Sequence, residues 1–186
     1  MMRRFLSLAT VVALVAGVSI AADIKSGPQT GSKLPGAFHP LNINGEHKGE
    51  KNCLVCQNGG NPVAMVFARS ADCEMTAALI KKLDEATGAN KAADMGSFAV
   101  FLTDDTETFT KKLEALDKKA GLKNLVLAID NPTGPEKYEV NKDADVTVVL
   151  YTKREIKANY TFKKGELTAE KIDAIVKDVA KIVPAK

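Results

Sequence analysis

The three cysteines are the residues with which this chain could most readily do chemistry. Cys53 and Cys56 form a C-x-x-C pair, a spacing that can close a small disulfide ring or present two thiolates to a metal ion. As a redox pair it would need an accessible sulfur of lowered pKa and a neighbour that resolves the mixed disulfide. In that interpretation Cys53 is the candidate nucleophile and Cys56 is its resolving partner.

Cys73 stands apart from the pair, beyond the continuous apolar run Val63–Ala68. As a strand, this run would extend roughly 20 Å at about 3.3 Å per residue. Disulfide Cα atoms must lie within about 7 Å of each other. Unless the 57–61 loop folds back along the sheet, we expect a Cys53–Cys56 disulfide and a free Cys73. A helix that begins directly after Cys73 would favour the thiolate form of this residue. However, a lone Cys is more often a small buried hydrophobe.

Two other interpretations of the C-x-x-C pair stay open. A static disulfide would attach the irregular N-terminal stretch to the domain and would take no part in exchange. A metal site would combine two imidazoles with two thiolates, ligand types that suit zinc or copper. The residues available for it are His39, His47, Cys53 and Cys56. Their spacing is not that of a standard zinc finger, and we assign no metal and no cofactor.

The N-terminal residues have the three parts of a secretory signal. Arg3 and Arg4 precede an apolar run from Phe5 to Val18, and Ser19–Ala21 supplies a small-x-small cleavage site. The apolar run is shorter than the ~20 residues that span a bilayer. We expect residues 1–21 to be removed and the mature chain to be periplasmic or secreted, without a membrane anchor. Disulfides persist in those compartments.

The charge of the mature chain bears on its partners. Loss of Arg3 and Arg4 lowers the Lys+Arg count from 26 to 24 against 23 acidic residues, which leaves a net charge of +1. Interspersed, nearly neutral charge gives no support for binding to nucleic acid or to anionic membranes. About 165 residues remain after removal of the signal, enough for one domain with its own core.

Strand patterns and helix patterns alternate after the cysteine pair. Three apolar runs are typical of buried parallel strands: Val63–Ala68, Ser97–Leu102 and Leu125–Ile129. The segments Val146–Tyr151 and Ile156–Phe162 then indicate an antiparallel hairpin. An amphipathic helix over Thr168–Val183 closes the chain.

The helices between the apolar strands have recognisable start and stop signals. Ser70 or Asp72 is expected to cap the first of them, and Gly88 to end it. Within Thr103–Thr106, Asp104 and Asp105 could form a carboxylate pair, but they stand where the second helix needs its cap. Gly121 supplies that helix with its stop.

This order of elements resembles that of the thioredoxin fold. Gly31–Gly45 is similar to the G-x-x-x-P-x-F-x-L-x-x-x-x-G lead-in of its peroxiredoxin-like and thiol–disulfide-reductase-like branch. Lys137–Leu150 is similar to the Y-x-V … P-T-x-x-x-I segment of that branch, and Gly165–Thr168 completes the pattern. The match covers residues 28–183. It implies an α/β, thioredoxin-like fold with a mixed central sheet, flanking helices and an irregular N-terminal extension.

The sequence departs from this branch at the usual reactive position. The turn between the first strand and the first helix, Arg69–Cys73, has one Cys, with Ser70 three residues before it. Val66 stands where a peroxidatic site has Pro, and Val146 stands where a cis-Pro is usual. A cis bond before a residue other than Pro costs about 3 kcal/mol, so we expect this one to be trans.

These observations give three segments: a signal at 1–21, a lead-in at 22–61 that carries the C-x-x-C, and a thioredoxin-like domain at 62–186. The sequence predicts a candidate thiol–disulfide oxidoreductase that uses Cys53 and Cys56, with Cys73 as a secondary thiol. Its partner would be a protein thiol or disulfide. The alternatives are a non-catalytic thioredoxin-fold binding or scaffold domain with a structural disulfide, and the metal site described above.

Overall fold

A computed structural model describes residues 24–184 of the chain. Its strands are β1 (Leu41–Asn42), β2 (Val63–Ala68), β3 (Gly96–Leu102), β4 (Leu125–Asp130), β5 (Val146–Thr152) and β6 (Glu155–Phe162). Its helices are α1 (Leu54–Asn58), α2 (Glu74–Ala89), α3 (Thr106–Ala120) and α4 (Ala169–Asp178), with short 3-10 turns at Lys91–Ala93, Glu136–Tyr138 and Val179–Lys181. The predicted signal, residues 1–21, lies outside the described residues.

The six strands form one mixed sheet in the order β1-β4-β3-β2-β5-β6. Strands β2, β3 and β4 are parallel to one another, whereas β5 runs antiparallel to β2, and β6 to β5. All residues of the central strand β2 are buried, as expected for a strand that is covered on both faces. The predicted α/β architecture with a mixed central sheet is confirmed.

The three long helices cover one face of this sheet. Leu79 and Leu83 of α2, Leu113 of α3 and Ile172 of α4 pack in one cluster with the residues of β2 that point to that side, such as Val66. Their spacing of three and four residues places the apolar side chains on a single stripe of each helix. Within residues 24–184, none of the helices has the length and apolar character that crossing a bilayer requires.

The opposite face is covered by the lead-in, which includes α1. Phe38 of the lead-in packs against Tyr138 and Phe67, with ring centroids 4.9 Å and 6.1 Å apart. Leu54 and Val55 of α1 belong to the same cluster. The segment that carries the cysteine pair is therefore part of the apolar cluster on this second face of the sheet.

Several predicted helix ends are confirmed. Asp105 is the N-cap of α3 and accepts a hydrogen bond from the Thr108 backbone N–H at 3.0 Å, so the capping interpretation of this carboxylate holds. Gly121 ends that helix in the left-handed conformation, and Thr168 caps α4.

Other predicted ends are wrong. The N-cap of α2 is Cys73, which makes no side-chain capping bond, and the cap is neither Ser70 nor Asp72. The same helix continues through Gly88 to Ala89. The closing helix becomes a 3-10 turn after Asp178, since its last turn tightens as helix ends often do.

Candidate functional site

Cys53 and Cys56 form a disulfide with a Cα–Cα distance of 5.2 Å. Cys53 is the N-cap residue of α1, and Cys56 lies in the middle of that five-residue helix. The backbone N–H of Cys56 donates a hydrogen bond to Cys53 Sγ at 3.1 Å. The predicted pairing of these two cysteines is thus present in the structure.

The two sulfur-bearing residues differ in their exposure to solvent. Cys53 is 6% exposed and belongs to the cluster that covers the second face of the sheet. Cys56 is on the exposed side of α1. An incoming thiolate can therefore approach Cys56, whereas Cys53 is shielded by its neighbours.

Helix α1 is held against the sheet by packing and by one close approach. Leu54 and Val55 are 2% and 0% exposed. The Asn58 side chain donates to the Leu54 carbonyl oxygen at 2.7 Å and lies over Gly96 of β3. A Cβ atom at Gly96 would stand 1.8 Å from Asn58 Oδ1, so only glycine leaves room for this contact.

The residues after α1 contact the hairpin between β5 and β6. The Gly59 N–H donates to the Cys56 carbonyl oxygen at 3.1 Å, and the Lys153 N–H donates to the Gly60 carbonyl oxygen at 2.8 Å. Lys153 and Arg154 form the two-residue turn of that hairpin. One backbone hydrogen bond, from the Lys153 N–H to the Gly60 carbonyl oxygen, therefore connects the segment after the disulfide helix with this turn.

Cys73 lies at the other end of β2, as the length of that strand predicts, and is a half-buried free cysteine. It lines a shallow groove of about 260 Å³ between α2 and α3, together with Lys112 and Lys119. The three cysteines thus do not form one site.

The turn where the resembled branch usually carries its reactive cysteine, Arg69–Cys73, begins with Arg69. Its guanidinium donates to three backbone carbonyl oxygens, at 3.0 Å to Ala144, 2.7 Å to Pro132 and 3.3 Å to Asn141. Burial lowers the pKa of Arg69, and the nearby Asp145 carboxylate opposes this effect. The peptide bond before Val146 is trans, as predicted. Arg69 therefore fastens the 131–145 loop beside this turn.

The proposed metal ligands do not converge. Nowhere in residues 24–184 do three His, Cys, Asp or Glu side chains lie close enough to hold a metal ion. His47 Nδ1 lies 3.4 Å from a Glu50 carboxylate oxygen, and the two thiols are joined to each other. The metal interpretation of His39, His47, Cys53 and Cys56 is not supported.

Sequence inspection missed two features of this site. The first is the side chain of Asn58, although an Asn before Gly59-Gly60 is a signal for a helix end that uses it. Lys153 and Arg154 appeared only as turn residues, because the sign of their φ angles is not readable from residue type.

Comparison with known proteins identifies the architecture. No protein-family model and no curated protein matches the chain. Among solved structures, a candidate protein disulfide isomerase from Bacteroides thetaiotaomicron superposes with a TM-score of 0.64 at 17% identity, over 86% of this chain and 94% of that one. The chain has a thioredoxin fold.

Other thioredoxin-fold neighbours come from both sides of the predicted branch. A secreted disulfide oxidoreductase from Mycobacterium tuberculosis gives a TM-score of 0.53 at 15% identity, covering 77% of this chain and 94% of that one. A 2-Cys peroxiredoxin from Plasmodium vivax gives 0.59 at 16% identity, covering 82% and 96%. The predicted resemblance to redoxins is confirmed, and at this identity it establishes the fold of this chain without its activity.

Proposed function

We propose that this thioredoxin-fold protein exchanges thiols and disulfides with protein partners outside the cytoplasm, through Cys53 and Cys56. The observation that carries the proposal is the pairing of one exposed and one buried cysteine in a single disulfide. Such a pair gives an incoming thiolate one sulfur to attack and one to release. The exposures favour Cys56 as the attacked sulfur, so the proposal exchanges the roles that the sequence assigned to the two residues.

The reaction has two steps. A partner thiolate attacks Cys56 Sγ, an intermolecular disulfide forms, and Cys53 leaves as the thiolate. A second partner thiolate then attacks the partner's own sulfur in that disulfide, and Cys56 leaves as the thiolate. The partner loses two electrons and two protons as its disulfide forms. This protein gains them, so that Cys53 and Cys56 become thiols. The Cys56 N–H, 3.1 Å from Cys53 Sγ, is a donor to the first leaving group.

A structural disulfide in a non-catalytic domain is the second candidate, and the burial of Cys53 favours it. Cys53 packs with Leu54 and Val55 in the cover of the second face. There the disulfide would hold the short α1 in its helical form, and partners would bind elsewhere on the fold.

Equilibration with glutathione buffers distinguishes the two functions. Exchange predicts a Cys53–Cys56 reduction potential above about −250 mV, whereas a structural disulfide falls below about −300 mV. The measurement is the fraction of oxidised protein by mass after acid quench and alkylation, with Cys73→Ser as the background that removes the third thiol.

Single-cysteine variants test which sulfur reacts. In the Cys73→Ser background, we expect Cys53→Ser, which leaves Cys56, to form a mixed disulfide with hydroxyethyl disulfide at least tenfold faster than Cys56→Ser does. The reason is exposure, since reaction rate depends on access to the thiolate. Equal rates, or faster reaction of Cys56→Ser, would return the nucleophile's role to Cys53.

A further inference from the structure

We propose that the Lys153–Arg154 turn beside the disulfide is a docking surface for an acidic polypeptide segment next to the partner's cysteine. This inference rests on the proposed exchange at Cys56 and names the class of protein that would reach it. Four observations carry it: the backbone of the turn, its contact with the disulfide helix, its unpaired charges and the charge of the surrounding chain.

The backbone of the turn is unfavourable for the residues that occupy it. Lys153 and Arg154 have φ angles of 51° and 60°, so both central residues of the hairpin are left-handed. Two-residue turns of this kind prefer Asn-Gly or Asp-Gly, because side chains larger than these are strained there. Two long cationic side chains thus occupy positions at which Asn and Gly would give a more stable turn.

The turn is attached to the disulfide segment. The Lys153 N–H donates to the Gly60 carbonyl oxygen at 2.8 Å, and a Cβ on Gly60 would lie 3.9 Å from the Lys153 Cα. Gly59 in turn donates to the Cys56 carbonyl oxygen at 3.1 Å. The turn that carries the two cations therefore lies next to the segment that follows Cys56, and a bound peptide could contact both.

The charges of the turn are free to meet a partner. Within the described residues, neither Lys153 nor Arg154 forms an ion pair, and both are exposed. The neighbouring Glu155 is already bonded to Lys157 Nζ at 2.6 Å, and Lys157 and Lys33 lower its pKa.

The chain segment that carries the disulfide adds no negative charge of its own. From Lys51 to Arg69 there is no acidic residue, although acidic and basic residues are almost equal in number overall. Cationic groups of a partner would be repelled here, and anionic groups would be steered toward Cys56. The complementary partner is therefore an acidic segment that carries a thiol or a disulfide.

Two peptides with one cysteine each test this docking surface, one with Asp at the positions flanking the cysteine and one with Asn. The oxidised protein is mixed with each peptide, and the rate of mixed-disulfide formation is divided by the rate of the same peptide with hydroxyethyl disulfide. This division removes the effect of the Asp residues on the thiol itself. We expect a normalised preference of about tenfold for the acidic peptide at low ionic strength. In 1 M salt, where the Debye length is about 3 Å, the preference should approach one.

Two variants with the same loss of charge assign the effect. Lys153→Asn with Arg154→Gly should abolish the preference and raise the melting temperature, because the new residues suit the turn. Lys118→Gln with Lys119→Gln removes two adjacent exposed cations of α3, on the other face of the sheet, and should leave the preference unchanged. A preference that survives the turn variant, or no preference in the wild type, would overturn the docking surface.

A binding measurement separates this inference from the exchange on which it rests. Labelled peptides with Ser in place of Cys are titrated with the oxidised protein by fluorescence anisotropy. If the protein exchanges with neither peptide nor with 2-mercaptoethanol, the proposed function fails, and tighter binding of the acidic Ser peptide would still support the docking surface. If exchange proceeds but both Ser peptides bind equally, the docking surface is wrong and the exchange stands.

Discussion

Asp84 is a buried carboxylate in the middle of α2, and it organises the start of β4. Its Oδ1 accepts hydrogen bonds from the backbone N–H groups of Lys123, Asn124 and Leu125, at 2.9, 2.7 and 2.8 Å. A single side-chain oxygen thus accepts hydrogen bonds from three consecutive backbone donors at the beginning of β4. Buried backbone donors need such partners, since leaving one unsatisfied costs about 1–3 kcal/mol.

Replacement of Asp84 should therefore lower the free energy of unfolding. We expect Asp84→Ala to lower the free energy of unfolding by about 3 kcal/mol, because the N–H groups at the start of β4 lose their acceptor. Asp84→Asn keeps an acceptor oxygen and should lose less. The measurement is urea denaturation followed by circular dichroism.

The neighbouring residue provides the control for this prediction. Glu85→Ala removes an exposed carboxylate one position further along α2, and such surface changes stay within about 0.5 kcal/mol. An Asp84→Ala protein as stable as the Glu85→Ala protein would show that the carboxylate is dispensable.

Gly88 illustrates where reading a residue type alone gives the wrong element boundary. A glycine near the end of an apolar stripe indicates a helix stop, and this one lies inside α2. A Cβ at Gly88 would stand 2.9 Å from Asn124 Nδ2, which also donates a hydrogen bond to the Asp84 carbonyl oxygen. The glycine leaves room for Asn124, a residue distant in sequence, which a local signal cannot reveal.

In the β5–β6 hairpin, the two residues proposed to bind the partner lower the stability of the turn that they form. Each left-handed residue that is not glycine costs of order 1 kcal/mol or more. We expect Lys153→Asn with Arg154→Gly to raise the free energy of unfolding by about 1 kcal/mol, since the greater freedom of glycine in the unfolded chain offsets part of the gain.

Denaturation of the hairpin variant and its charge control checks this difference. The Lys118→Gln, Lys119→Gln protein loses the same charge without a change of turn, and it should lose at most about 1 kcal/mol, since both cations lie in the last turn of α3. If the hairpin variant were less stable than both, the two long side chains would be contributing contacts that outweigh the backbone strain.

Elements of the fold could be predicted from sequence where the pattern is local. Six consecutive apolar residues need burial on both faces, so the sequence predicts a strand at Val63–Ala68, and these are the bounds of β2. The capping carboxylate Asp105 and the stop at Gly121 are also local signals, and both are confirmed.

Features set by tertiary contacts could not be predicted. Helix α1 falls in a stretch of Gly, Asn and Cys with weak helix propensity, and its position depends on the contact of Asn58 with Gly96. Likewise, the exposure of Cys56 and the burial of Cys53 follow from how α1 lies on the sheet. A C-x-x-C spacing carries no information about which sulfur faces the solvent.

At the scale of the whole molecule, the two faces of the sheet differ in what covers them. Regular helices cover one face, whereas the lead-in, α1 and a 3-10 turn cover the other. Tyr138 and Tyr151 are both buried on the second side. The Tyr138 hydroxyl donates to the Gly36 carbonyl oxygen at 2.6 Å, and the Tyr151 hydroxyl has no partner among the described residues. Burial raises the pKa of both phenols.

This burial predicts unfolding in alkali. A phenol in the unfolded chain titrates near pH 10, and the folded protein holds the proton to higher pH. The stability from both tyrosines is therefore fully present below about pH 10 and falls as the pH rises above it, because the unfolded state then binds fewer protons. The slope should approach about 1.4 kcal/mol per pH unit for each tyrosine, or about 3 for the pair. Tyr160 makes it steeper, because burial and the Asp178 carboxylate also raise the pKa of that phenol. Urea denaturation at a series of pH values between 9 and 12 measures it.

Absorbance at 295 nm gives an independent test, since the chain has three tyrosines and no tryptophan. Most tyrosinate should appear together with the loss of circular dichroism. Tyr151→Phe removes one titrating phenol and a hydroxyl without a partner, so it should reduce the slope by about 1.4 kcal/mol per pH unit without loss of stability at pH 7. If all three phenols of the folded protein ionised near pH 10 with an unchanged circular dichroism spectrum, the second face would be open to water, and the burial of Cys53 beneath the same cover would be in doubt as well.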